Sequence, residues 1–151
     1  MGVLTEDLKK RILAIKFDRL VIHVDRTFIT NFAKAVEDPN PLYYPCEGAR
    51  SGPYGEQIVP PGMLHARNMM PEIFPELPAD MPVKNKLDGG TDVEYYIPIR
   101  YGDTIFVDTR YIDVFEKPGA TGPMIFTQYV TEWTNQHGEI VGKSTSVMIR
   151  R

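Results

Sequence analysis

Between residues 28 and 37, Ile29, Phe32, Ala33 and Val36 fall at i, i+3, i+4 and i+7, an apolar stripe on an otherwise polar segment. The spacing predicts an amphipathic helix over about 28–37, with Thr27 as its N-cap. Pro39 is placed to stop it, because a proline disfavours helical geometry in the residue before it and has no N–H to donate. A shorter lead-in helix is predicted over about 5–14, where Thr5 can cap and Glu6 and Asp7 sit at the end that favours negative charge. From residue 93 the period changes to two. Val93, Tyr95, Ile97 and Ile99 alternate, and Ile105, Val107, Thr109 and Tyr111 do so again after a Tyr-Gly-Asp turn. Two long runs follow at 124–134 and 139–150, separated by Asn-Gln-His-Gly. The pattern predicts an antiparallel meander over 93–150. The intervening residues, 39–92, hold most of the prolines and read as loop, interrupted by a second short helix at 62–70.

A single central helix ahead of several long strands predicts one α+β domain over 1–151, in which a long curved antiparallel sheet wraps that helix. Such a sheet leaves an open edge. A second copy of the chain or a different subunit is the expected cover.

Composition narrows the classes. With 151 residues, 42% hydrophobic and 25% charged, the chain has the balance of one globular domain. No apolar run approaches the ~18 residues that span a bilayer, and acids and lysines enter too early for a secretory leader, so no membrane role and a cytoplasmic location are expected. A net charge of -3 with scattered basic residues argues against nucleic acid. Cys46 is the only cysteine, which leaves neither a disulfide framework nor a sulfur-rich metal site; no metal is expected.

Candidate chemistry lies in three segments: Glu37-Asp38-Pro39-Asn40-Pro41-Leu42-Tyr43, Ile58-Val59-Pro60-Pro61-Gly62-Met63-Leu64, and Pro98 with Gly102-Asp103. Each alone has a plain structural role: Asp-Pro-Asn-Pro is turn chemistry, Pro-Pro-Gly a rigid turn and Gly-Asp a hairpin. In combination, and in this order of elements, they resemble the hot-dog fold, specifically the MaoC-like dehydratases and R-specific enoyl-CoA hydratases, over about residues 24–150. Two positions depart from that family. Tyr43 stands where the family has its catalytic histidine, and Pro61 where a histidine precedes the glycine. In this the chain resembles the N-terminal-type MaoC-like dehydratase domain.

The resemblance implies reversible hydration of a trans-2-enoyl thioester to a 3-hydroxyacyl thioester. It makes Asp38 the catalytic carboxylate, gives the Gly62 N–H the developing thioester oxyanion, and puts Asn40, Tyr43, Pro61 and Gly62 against substrate. No cofactor is implied beyond coenzyme A, or a carrier protein, as part of the substrate. A phenol with an unperturbed pKa near ~10 is a donor at neutral pH where an imidazole near ~6.5 is a base. The leading expectation is therefore the pocket-shaping, non-catalytic component of a two-component enzyme, a heteromer with a catalytic hot-dog subunit. A self-sufficient homo-oligomeric hydratase, a homodimer for example, using Asp38 with Tyr43 or His65 is the alternative, followed by a hot-dog thioesterase and a thioester-binding protein without turnover. Met69 and Met70 can line an acyl tunnel, and Arg150 and Arg151 can meet coenzyme A phosphates, although core packing and a solvated chain end are their ordinary roles.

Overall fold

A computed structural model describes residues 2–65 and 76–151. Helix α1 spans Glu6–Leu13, and the Thr5 side chain accepts the Leu8 N–H at its start. Strand β1, Leu20–His23, precedes helix α2, Arg26–Ala35. Helix α2 begins and ends two residues earlier than its apolar stripe alone indicates. The cap is Asp25 rather than Thr27, because one Asp25 carboxylate oxygen accepts both the Thr27 and Phe28 N–H groups, at 2.7 and 3.1 Å.

The stop is also different from the one expected. Glu37 takes a left-handed conformation, φ 55. Its N–H reaches the Lys34 carbonyl while the Asp38 N–H reaches that of Ala33. This is a Schellman closure, complete before Pro39 is reached. Pro39 instead favours extended backbone at Asp38 as the chain leaves the helix.

Residues 39–92 are not loop throughout. A 3-10 turn at Pro41–Tyr43, a short helix α3 at Glu47–Arg50 and a second 3-10 turn at Met63–His65 are followed by β2, Lys86–Tyr95. Of the helix expected at 62–70, only the Met63–His65 turn falls among the described residues; Met69 and Met70 lie outside them. Of the alternation read from Val93 to Ile99, only Val93 and Tyr95 lie in β2, and Ile97 and Ile99 fall beyond its end; the strand starts earlier, at Lys86, without a period because nearly every residue is exposed and Gly89-Gly90 sit at a bulge between Asp88 and Thr91. A Cβ on Gly89 would come within 2.9 Å of the Val147 carbonyl oxygen, and Gly90 has φ 104, so the bulge needs glycine at both.

Strands β3 (Thr104–Gly119), β4 (Gly122–Thr134) and β5 (Ile140–Arg150) form the meander. Strand β2 does not join it next to β3. The sheet order is β1-β3-β4-β5-β2, all pairs antiparallel, so residues 96–103 cross from one side of the sheet to the other. Ile29 and Ala33 of α2, both fully buried, pack on Ile105, Val107, Trp133 and Val141 of the sheet. Fully burying a side chain such as Ile29 contributes roughly 1.5–3 kcal/mol, enough to dock so short a helix. A second apolar cluster joins Leu8 and Ile12 of α1 to Tyr111, Val114 and Ile125. No helix among the described residues is long and apolar enough to cross a membrane.

Candidate functional site

The segment after α2 is a chain of short-range hydrogen bonds. The Asp38 carboxylate accepts the Asn40 N–H at 2.9 Å through Oδ1, and the Asn40 side chain accepts the Leu42 N–H at 3.1 Å. These two turns hold Asp38, Asn40 and the Pro41–Tyr43 turn as one unit. The Tyr44 hydroxyl donates to the Asp38 carbonyl at 2.9 Å and ties its far end back. Asp38 Oδ2 has no hydrogen bond among the described residues.

The second motif is stitched to the first. The Ile58 N–H reaches the Leu42 carbonyl at 3.0 Å, and Val59 donates to Ile99 at 2.8 Å. Beneath them, fully buried Gln57 donates through Nε2 to the Tyr43 carbonyl at 2.7 Å and to Thr30 Oγ1 of α2 at 3.0 Å. Its Oε1 is buried without a partner among the described residues. The third motif acts on the frame: Asp103 accepts the Arg100 N–H and the Gln136 amide, binding the 96–103 crossover to the β4–β5 turn.

A cleft of about 260 Å³ opens between these segments, lined by Tyr43, Pro61, Tyr95, Tyr96 and neighbouring residues of 58–60 and 97–99. Tyr43 and Pro61 therefore meet at one cavity. Gly62 joins them through its N–H, which donates to the Tyr95 hydroxyl at 2.6 Å. Asp38 and Asn40 are not in the lining; they stand beside Tyr43 along the turn. A wider cleft of about 700 Å³ between Gly2–Leu4 and the tip of the β3–β4 hairpin contains no residue of the three motifs.

Tyr43 itself is buried. Burial pushes its phenol above the ordinary value, and the Asp38 carboxylate and Tyr54 push the same way, against a hydrogen bond to Asn40. Tyr43 is thus a proton donor at neutral pH. His65 lies in the second 3-10 turn, outside the cleft lining, with Nδ1 buried and unpartnered among the described residues. His23 and His137 are exposed, and no group of described residues is arranged to hold a metal ion. Arg150 is not a solvated end: it is buried, and its guanidinium donates to Thr127 Oγ1 at 3.3 Å.

Three residues that matter here carry no signal in the sequence. Gln57 looks like any polar loop residue, Tyr95 reads as one more strand position, and Trp133, fully buried, is the parallel neighbour of Tyr95, their ring centres 6.4 Å apart.

With this geometry the chain can be set beside known proteins. The family profile described as FAS1-like, dehydratase domain region, matches residues 12–144. No curated protein matches the sequence. Among solved structures, the ChsH1-ChsH2 complex from Mycobacterium tuberculosis is similar at a TM-score of 0.77 and 19% identity, over 97% of this chain and 96% of that one. The MaoC-like dehydratase from Rhodospirillum rubrum gives 0.66 and 24%, over 99% of each chain. The R-hydratase PhaJ1 from Pseudomonas aeruginosa gives 0.68 and 15%, over 95% of this chain and 85% of that one. These likenesses carry the α+β hot-dog fold. The profile match, over most of the length, carries the family: this chain belongs to the FAS1-like dehydratase domain region and is a MaoC-like hot-dog dehydratase domain.

Proposed function

We propose that this chain is the substrate-cleft component of a two-component hydratase or dehydratase acting on acyl thioesters, coenzyme A or carrier-bound, with the water chemistry completed by a second hot-dog subunit. Hydration of a trans-2-enoyl thioester needs a base to take a proton from water as its oxygen bonds to C3, a proton delivered to C2, and a donor for the charge on the thioester oxygen. The observation that carries the reading is Tyr43. It is a buried phenol held protonated beside Asp38, in the place of the residue that should accept the proton. Asp38 keeps a free carboxylate oxygen, which can orient a water but has no imidazole to share its proton with.

Two further observations support a partner. Among the described residues strand β2 is an open sheet edge with exposed Leu87 and the adjoining Tyr96, the kind of edge that pairing with another chain covers. The ChsH1-ChsH2 assembly is itself a complex of two components. Hydration of trans-2-enoyl-CoA by the purified chain, alone and with candidate hot-dog partners, tests the proposal. It is supported by turnover that appears only in the mixture. Turnover by the chain alone, abolished by Asp38→Asn, would transfer the function to the self-sufficient reading, with His65 next to be replaced. Release of free coenzyme A would indicate a thioesterase.

A further inference from the structure

The Gly62 N–H already has an acceptor. The Tyr95 hydroxyl sits 2.6 Å from it, so the donor that would serve a thioester oxygen is spent on a side chain of the same molecule. One N–H makes one strong hydrogen bond, and a second acceptor must displace the first. Among the described residues the space beside Gly62 is open: it has φ 87, and a Cβ built on it would meet no atom within 4 Å. Tyr95 ends the edge strand β2, is 44% exposed, and lies parallel to the buried indole of Trp133. It can turn away without unpacking the core. With Tyr95 in place the cleft holds about 260 Å³, below the roughly 300–1,000 Å³ usual for sites that enclose an organic ligand.

We infer that Tyr95 is a gate: its hydroxyl occupies the place of the thioester oxygen on the Gly62 N–H, and an acyl thioester seats in the cleft only once Tyr95 has turned out. The inference rests on the acyl-thioester reading above and adds to it a residue that sets when the site accepts substrate. Breaking a neutral hydrogen bond opposes binding by about fivefold in Kd.

Tyr95→Phe keeps the ring on Trp133 and removes only the hydroxyl. Isothermal titration of crotonyl-CoA into the folded chain should give binding about fivefold tighter for Tyr95→Phe than for the native protein. Equal or weaker binding by the variant overturns the gate. If neither protein binds any thioester, the functional reading fails, and the Gly62 amide decides the gate by itself in nitrogen-15 spectra. An upfield shift and faster hydrogen exchange in Tyr95→Phe support it, whereas an unchanged resonance overturns it.

Discussion

At the scale of single residues, the two ends of the Glu37–Tyr43 segment lend themselves to opposite kinds of test. Glu37 occupies the left-handed position of the Schellman closure, φ 55, where a Cβ is unfavourable and glycine is usual. Glu37→Gly should raise stability by about 0.5–1 kcal/mol, the relief of that strain less the extra chain entropy of glycine, read as a higher urea midpoint at constant slope. Tyr43 tests the chemistry. Tyr43→His should restore a base beside Asp38 and lift hydration of trans-2-enoyl-CoA by the isolated chain by about 10²-fold or more. The neutral imidazole is the active form. The rate should therefore rise with pH through the imidazole pKa and level off above it, and adding Asp38→Asn should remove the gain. A variant that folds and binds crotonyl-CoA yet stays inert would show that more than the imidazole is missing. The Tyr43 test did not need the structure and its backbone angles to find its position, since Asp38 and Tyr43 stand out in the sequence. The strain at Glu37 did need them, because a glutamate gives no sign of its φ.

At the scale of elements, legibility followed burial pattern. Helix α2 and strands β3 to β5 bury one face each, and a buried face writes its period into the sequence. Strand β2 buries neither face and breaks its register at Gly89-Gly90, so nothing periodic marked its start, and its pairing with β5 across the sheet had no local cause to read. The helix boundary moved for a comparable reason: Asp25 and Thr27 are both capping types, and only the φ/ψ of Asp25 decides between them. The site was legible as motifs but not as a cavity. What holds the two motif segments against α2 is Gln57, a side chain whose two donated bonds join Tyr43 to Thr30. Gln57→Ala leaves the buried Tyr43 carbonyl without its donor and opens a void beneath the cleft. It should destabilise by about 2–3 kcal/mol, and Gln57→Glu, which also cannot donate through that atom when ionised, should be no better. Chemical denaturation of both variants measures this, and a loss below the scatter of surface substitutions would mean that the clamp is held by backbone contacts alone.

For the molecule as a whole, buried phenols set the alkaline limit. Burial raises Tyr43, Tyr111 and Tyr129 above their ordinary value, while the Arg150 guanidinium pulls the latter two back and Ser146 further restrains Tyr129. A phenol whose folded pKa exceeds its unfolded one binds its proton more tightly in the native state. Its contribution is fully present below about pH 10, where unfolded tyrosines begin to titrate, and is lost as pH rises through the folded value. Stability should therefore show no tyrosine-driven change through neutral pH and fall from about pH 10 upward. Arg150 enters with the opposite sign. Burial depresses its own pKa, and among the described residues no carboxylate pairs with it, so the native state holds a guanidinium whose nearest charge partners are neutral phenols until they ionise. Arg150→Met should then have two effects in the same titration. At neutral pH it removes an unpaired buried cation and should stabilise on the order of 1 kcal/mol. Above pH 10 it removes the charge that favours the Tyr111 and Tyr129 phenolates, so the alkaline loss should become steeper. The two stability curves, taken from thermal unfolding between pH 7 and 11, should converge as pH rises. Parallel curves would show that Arg150 does not act on the two phenols, and destabilisation at pH 7 would show that its stem packs for more than its charge costs.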